Sequence, residues 1–249
     1  MLNIIGLGLW DERDLTFRAL DVLKASERVY LEGYTSYYNG DLQKLKDLIG
    51  KDVVVLGRED LEQTPEDTVL AGGEVSLLVM GDPLSATTHA DLLMRAAEKG
   101  VKTRIIHNAS VMTAVAETGL QLYKFGRTTT IAYPEGNYFP KSPYEVVKEN
   151  KMRGLHTLCL LDVKSNEKRY MTINEGIELL LKMEEDRMQN QIKKTTPCIG
   201  VARLGGDTVI KYGSAEQLMN EDFGGPPHTL IIPSKLHEME EEFLKKHKV

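Results

Sequence analysis

The sequence predicts an α/β protein built from two α/β domains, and three observations carry that reading. Over the first hundred or so residues, short apolar runs alternate with amphipathic stretches of about 10 residues, the pattern of parallel βαβ units. The apolar runs are continuous rather than alternating, as strands are when both faces of a sheet are covered. After about residue 110 the spacing becomes irregular, which predicts a second domain with a mixed sheet. The expected division is residues 1–110, a mostly parallel sheet with helices on both faces, and residues 111–249, a mixed α/β domain. No Gly/Ser linker separates them, so the halves are expected to pack closely around a cleft.

Taken in order, LNIIGL reads as a strand and LTFRALDVLKAS as a helix. RVYLE is a strand, DLQKLKDLIG a helix ending at Gly50, and VVVL a strand. Thr64-Pro65-Glu66-Asp67 has the residues of a helix start: a capping hydroxyl, a proline at the first position and an acid at the third. VSLLVMG is a strand, and THADLLMRAAEKG a helix with a capping box of Thr88 and Asp91 and a terminal Gly100. TRIIH is a fifth strand. ASVMTAVAETGL then reads as a helix, and TTTIAYPEGNYFPKSP as a strand leading into a long loop. Ser142-Pro143-Tyr144-Glu145 opens another helix by the same capping logic. HTLCLLDVK is a strand, INEGIELLLKMEEDRMQ a long helix, CIGVARLGG and HTLIIP strands, and LHEMEEEFLKKHKV a charged final helix.

Composition excludes several classes. The apolar fraction of 41% and charged fraction of 27% belong to an ordinary globular chain. No window approaches 18 uncharged apolar residues, so no membrane span or membrane partner is expected. The first residues run straight into a strand without a basic region, so no secretion signal is expected and the location read is cytoplasmic. A net charge of -6 without a basic block gives little support for nucleic-acid binding, which relies on Lys and Arg against phosphates. Cys159 and Cys198 lie inside apolar runs and read as small buried hydrophobes of a reducing compartment. No HExxH, no paired CxxC and no His–acid cluster at ligand spacing is present, so no metal is expected. GxxxxGK[ST] and GxSxG are also missing.

Ligands of open parallel sheets bind beyond the carboxyl ends of the strands. Three of those ends carry unusual residues: GLGL after the first strand, GDPLSATTH after the fourth and HNASV after the fifth. Gly6 and Gly8 allow a tight turn and a close ligand approach. A pyrophosphate would want the positive end of the following helix, but Asp11 and Glu12 stand there. Two like charges about 4 Å apart repel by roughly 1 kcal/mol in water and about 4 kcal/mol in a partly screened site. Glu32, at the end of the second strand, is where a ribose-binding acid of an NAD site would lie. Asp82 can bind ribose hydroxyls or an amine, or only organise its turn. Ser110 can bond a ligand or cap the next helix.

GLGLWDERDLT, GDPLSATTH, YKFGRTTTIAYPEGNYFPKSPYEVVKEN, RGLHTLCLLDVK and EDFGGPPHTLIIP, in this order, resemble the diphthine synthase family over essentially the whole chain. GLGL and GDP are common to the wider tetrapyrrole-methylase-like superfamily; the YPEGNYFP and GPPH segments select the branch. The resemblance implies a two-domain fold of the tetrapyrrole methylase type. It implies an S-adenosylmethionine-dependent methyltransferase, usually a homodimer, with the cofactor folded in the cleft between the domains. The implied substrate is a histidine of translation elongation factor 2 that carries a 3-amino-3-carboxypropyl group. Three methyl transfers to its amine give diphthine, on the way to diphthamide. The compact length resembles the archaeal branch, which stops at three methyls; the eukaryotic branch also methylates the carboxylate.

Carried over by motif, the implied cofactor contacts are Leu9, Asp82, Ser85, Ser110, Val111, Leu161, Leu204 and His228. Ser85 stands where the family carries a small aliphatic residue, and ARLGGD around Leu204 is the loosest match. Without the resemblance, Leu9, Val111 and Leu161 read as packing residues and His228 as a strand-end histidine. No residue is assigned as a catalytic base. In the YPEGNYFP loop, Tyr133, Glu135, Tyr138 and Phe139 are candidates for substrate recognition, since aromatic faces suit quaternary ammonium groups; a structural loop or dimer contact is the alternative. Other readings are methylation of a tetrapyrrole or ribosomal RNA by the same fold, an NAD-dependent oxidoreductase resting on GxG and Glu32, and a non-catalytic adenosyl-ligand sensor or scaffold.

Overall fold

Leu2–Gly6 (β1) is buried along its whole length, with a neighbour strand on each side, which is why it reads as an unbroken apolar run. It opens a computed structural model that describes residues 1–249. The chain divides into two compact units, residues 1–112 with 164–167, and residues 113–163 with 168–249. No helix is long and apolar enough to cross a membrane.

In the first unit the elements run α1 (Phe17–Ala25), β2 (Arg28–Glu32), α2 (Leu42–Ile49), β3 (Val53–Leu56), α3 (Arg58–Glu62), β4 (Val75–Val79), α4 (His89–Glu98) and β5 (Thr103–Ile106). The five strands are all parallel, in the order β3-β2-β4-β1-β5. The chain leaves β1 in one direction, through α1 to β2, and leaves the adjacent β4 in the other, through α4 to β5. Right-handed crossovers then put α1 and α4 on opposite faces. Side chains along and just beyond β1 serve both: Leu2 and Ile4 pack in a cluster with Leu92 and Ala96 of α4, while Ile5 and Leu7 join Ala19, Leu23, Leu45 and Ile49 of α1 and α2. The carboxyl ends of β1 and β4 therefore form the point where strand order reverses, where open α/β sheets bind ligands.

Thr16 caps α1 through the Ala19 amide and Asp41 caps α2 through that of Gln43, while Gly50 closes α2 in the left-handed region. Two expected starts differ. Thr64-Pro65 opens only a 3-10 turn over Pro65–Asp67. Thr88 precedes α4 without a side-chain cap, and Asp91, the acid of the expected capping box, pairs instead with Arg95 at 2.8 Å, one turn on.

The expected helix over ASVMTAVAETGL is α5 (Val111–Ala114) followed by a 3-10 turn, Val115–Thr118, which ends at left-handed Gly119. There follow β6 (Thr129–Ile131), α6 (Ser142–Met152), β7 (Thr157–Leu161), the ribbon strands β8 (Val163–Lys164) and β9 (Arg169–Tyr170), α7 (Ile173–Arg187), β10 (Pro197–Ala202), β11 (Val209–Ser214), α8 (Ala215–Met219), β12 (His228–Ile232) and α9 (Glu238–Leu244). Ser142 is the first residue inside α6 rather than its cap. The second sheet has the order β11-β10-β12-β7-β6, antiparallel except for β6 beside β7, and is mixed as expected. Tyr144 and Val147 of α6, Ile177 and Leu180 of α7, and Leu218 of α8 pack with Cys159, Leu161, Cys198 and Leu230 of the strands. Both cysteines are free and buried, and burial pushes their thiols up, that of Cys198 to about 12. They are inert packing residues, as their sequence context indicates.

Glu240 of α9 is fully buried and takes a full set of donors. It accepts from the Gln121 amide at 3.0 Å, the His237 amide at 2.7 Å and His156 Nε2 at 3.2 Å, and pairs with Lys124. His156 Nδ1 accepts from the Ser234 amide at 3.0 Å, so its proton sits on Nε2, facing Glu240. A buried carboxylate in this setting ties the last helix to the chain around residues 121–124 and 156.

Candidate active site on the first sheet

Three loops meet at the carboxyl edge of the first sheet. Beyond β1 and β4 the chains are stitched glycine to glycine, Gly81 N to Gly8 O at 2.7 Å and Gly8 N to Gly81 O at 3.3 Å. Both glycines lie in the left-handed region, with φ of 92° and 73°. A side chain on Gly6 would fall 2.6 Å from Gly81 O and 2.8 Å from Asn108 Cβ. The Asn108 amide group then donates to Gly6 O at 3.0 Å and Asp14 O at 2.9 Å, which brings the loop after β5 into the same junction.

The acids after GLGL are placed differently from the sequence expectation. Asp11 caps a 3-10 turn over Glu12–Asp14 and pairs with Arg13 at 2.6 Å, while α1 starts only at Phe17. Neither Asp11 nor Glu12 sits on the first turn of that helix. The carboxylate that fills the glycine turn is Asp14, whose Oδ2 accepts from Leu9 N at 2.9 Å and Trp10 N at 2.8 Å. Two amides that could cradle a phosphate are therefore satisfied by the chain's own anion. Glu32 is also not placed to hold a ribose. It is buried and accepts from the amides of Tyr34 and Thr35 and from the Thr35 hydroxyl, with His89 Nε2 3.9 Å away. The two features that favoured NAD are thus accounted for by turns.

Asp82 is the hub of the edge. It is 9% exposed. Its Oδ1 accepts from the Leu84 amide at 3.1 Å and the Ser85 hydroxyl at 3.2 Å. Its Oδ2 accepts from His107 Nδ1 at 2.7 Å and the Asn108 amide at 3.3 Å. Burial pushes this carboxyl up, but the bonds from Leu84, His107 and Asn108 together hold it below the usual carboxylate range. Asp82 thus organises its own turn and also ties the GDPLS loop to the HNAS loop. Ser110 is buried and its hydroxyl accepts from the Met112 amide at 3.2 Å, a start to α5, whose first residue is Val111. Leu9, Asp82, Ser85 and Ser110 accordingly lie on loops, and Val111 at the start of α5, at one edge of one sheet. His107, the exposed first residue of HNASV just beyond β5, stands at the same edge, although the sequence alone assigns it no role.

The three second-unit candidates share one edge of the second sheet. Leu161 ends β7, Leu204 follows β10, and His228 begins the antiparallel β12, paired with Ala202. Leu161 and Leu204 are buried. A side chain on Gly176 of α7 would meet Leu161 at 2.9 Å, so Leu161 packs closely over that helix. His228 uses both ring nitrogens inside the chain: Nδ1 accepts from the Ile173 amide at 3.3 Å, and Nε2 donates to the Gly224 and Gly225 carbonyls at 3.1 Å each. Burial lowers its pKa. These three can offer a ligand their backbone more readily than their side chains.

The YPEGNYFP loop separates into two parts. Tyr133 is buried, donates to Glu175 at 3.0 Å, and has the Arg169 guanidinium 3.6 Å from its ring centre. Burial, with the bond to Glu175, raises its phenol to about 12. Phe139 packs against the core of the unit. Residues 134–138 are exposed, including the tight turn in which the Glu135 and Tyr138 backbones exchange bonds of 2.9 and 2.8 Å, with Tyr138 at 70%.

The family profile of the tetrapyrrole (corrin/porphyrin) methylases matches residues 1–218. Diphthine synthase from Methanocaldococcus jannaschii is 46% identical over 98% of this chain and 98% of its own. That from Methanococcus maripaludis strain C7 is 45% identical over the same shares. A crystal structure of diphthine synthase superposes with a TM-score of 0.89 at 37% identity, over 99% of this chain and 95% of that one. The chain belongs to the tetrapyrrole methylase family and, within it, groups with the diphthine synthases.

Proposed function

We propose that this protein is an S-adenosylmethionine-dependent methyltransferase of diphthamide biosynthesis. Its substrate is the 3-amino-3-carboxypropyl-modified histidine of translation elongation factor 2, and three transfers to the amine give diphthine. Family membership supports the reaction class. The structural observation that carries the choice of donor is the Asp14 carboxylate seated on the Leu9 and Trp10 amides. An edge that supplies its own anion suits a ligand with no phosphate and a cationic sulfur, and opposes a dinucleotide by charge repulsion.

In this reading the donor contacts are Leu9, Asp82, Ser85, Ser110 and Val111, with Leu161, Leu204 and His228 offering backbone rather than side-chain groups. When bound, the donor supplies an electrophilic methyl group on a cationic sulfur. The chain's part is to align the acceptor amine and to exclude water. In this reading exposed Tyr138, at the tip of the YPEGNYFP loop, meets the acceptor, whose cationic product suits an aromatic face. We further propose a cytoplasmic homodimer that acts on this protein substrate without a nucleic-acid or membrane partner.

The test uses labelled methyl donor and elongation factor 2 carrying the unmethylated modified histidine, with mass spectrometry to count methyl groups. Three added methyls are expected, and none on a factor lacking the modification. A fourth methyl would place the carboxylate among the acceptors. No transfer, or equal transfer to the unmodified factor, would reject the assignment.

A further inference from the structure

Amine methylation needs a lone pair, and an ammonium has none. A substrate that starts as an ammonium must lose one proton before each of three transfers, so the site needs a group that takes protons and passes them on. Asp82 is badly suited to this. Both its oxygens already accept two hydrogen bonds, and those bonds hold it below the usual carboxylate range.

The residue bonded to Asp82 is better placed. His107 Nδ1 lies 2.7 Å from Asp82 Oδ2, and its side chain is 69% exposed. Since Asp82 is an ionised acceptor, Nδ1 carries the proton and donates it. In the neutral ring the lone pair is then on Nε2, which forms no hydrogen bond within the chain, on a side chain exposed beside the edge where the GLGL, GDPLS and HNAS loops meet. A buried carboxylate behind one imidazole nitrogen, with the other nitrogen open, fixes both the tautomer and the direction of the base, as in other carboxylate–histidine pairs.

We propose that His107 is the general base of the methyl transfer, with Asp82 its positioning residue; this rests on the methyltransferase reading above. An ammonium N–H bond breaks, its proton bonds to Nε2, and the electron pair stays on nitrogen. That pair forms the N–CH3 bond as the S–CH3 bond breaks with its electrons remaining on sulfur. The exposure of the ring lets the proton pass to solvent before the next transfer. After the third transfer the nitrogen has no proton left, and the sequence stops.

The test compares His107→Asn and His107→Ala with the unaltered protein. Asparagine places an amide N–H near the Nδ1 position and keeps a donor for Asp82, but offers no base. Both variants should bind S-adenosylmethionine within about threefold of the parent by calorimetry, while methyl transfer falls by about a hundredfold. Free imidazole should restore transfer by His107→Ala in proportion to its neutral form. In the protein alone, nitrogen NMR should show His107 as the Nδ1–H tautomer. Full turnover by His107→Asn would mean that the ring only donates to Asp82, and would overturn the proposal. So would the Nε2–H tautomer, or a loss in both variants that follows donor affinity and resists imidazole. Failure of the methyltransferase reading is separable: the unaltered protein would then neither bind the donor nor transfer methyl groups.

Discussion

The carboxyl edge of the first sheet and the candidate edge of the second use their residues in opposite ways. In the first, polar side chains hold loops in place: Asp14 on two amides, Asn108 on two carbonyls, Asp82 between two loops. In the second, Leu161 and Leu204 are buried apolar groups, and His228 bonds only to the backbone. The difference teaches where side-chain identity matters. Changes at the first edge should alter ligand binding and turnover, whereas changes in the second unit should alter folding and leave the binding of the folded protein nearly intact.

The largest effect should come from the second unit. Glu240→Ala strands His156, Lys124 and two amides in or near the core, and should cost about 3–5 kcal/mol in urea unfolding. The same cluster sets an acid limit. Burial pushes Glu240 up, but its donors outweigh that and hold it at about 2, against 4.5 for the free group. Its stabilisation is complete above the unfolded value and is lost as pH falls toward about 2. His156, lowered by burial, contributes in the same direction once pH drops below its unfolded value of 6.5. Acid unfolding of the Glu240→Ala variant should accordingly be less steep over this range; an unchanged slope would remove Glu240 from the account.

Leu161→Ala should cost about 2–5 kcal/mol as a buried cavity, with donor affinity of the folded fraction unchanged. Weakened affinity at full stability would blur the contrast between the two edges. Asp14→Ala is expected to cost about 1–3 kcal/mol by leaving the Leu9 and Trp10 amides without a partner, and Asp14→Asn less, because the amide oxygen still accepts. The smallest free-energy change, at least about tenfold in donor affinity or turnover, or about 1.4 kcal/mol, belongs to Asp82→Ala. Unchanged kinetics would make Asp82 a turn residue only.

Much of this was legible in the sequence because burial writes itself in periodicity. The continuous apolar runs of β1 and β4 follow from coverage of both sheet faces, and the three loop motifs mark the edge where they end. The second unit was less legible. Its short pieces, such as the 3-10 turn at Val115–Thr118, are set by packing rather than by local pattern. Thr64-Pro65 and Thr88 carry capping signals that the turns around them do not use. At the site, Asp11 and Glu12 come first after the glycines and read as the acids of the helix start, yet a 3-10 turn folds Asp14 back onto the amides. His107 had a usable signal: it ends the fifth apolar run, on the same edge as Asp82.

The central claim is that this edge takes an adenosyl sulfonium and refuses a dinucleotide. Calorimetry with S-adenosylmethionine and with NAD on the unaltered protein tests it most directly. The account predicts saturable binding of S-adenosylmethionine, weakened by Asp82→Ala, and no heat from NAD. Tight NAD binding with no S-adenosylmethionine binding would contradict it.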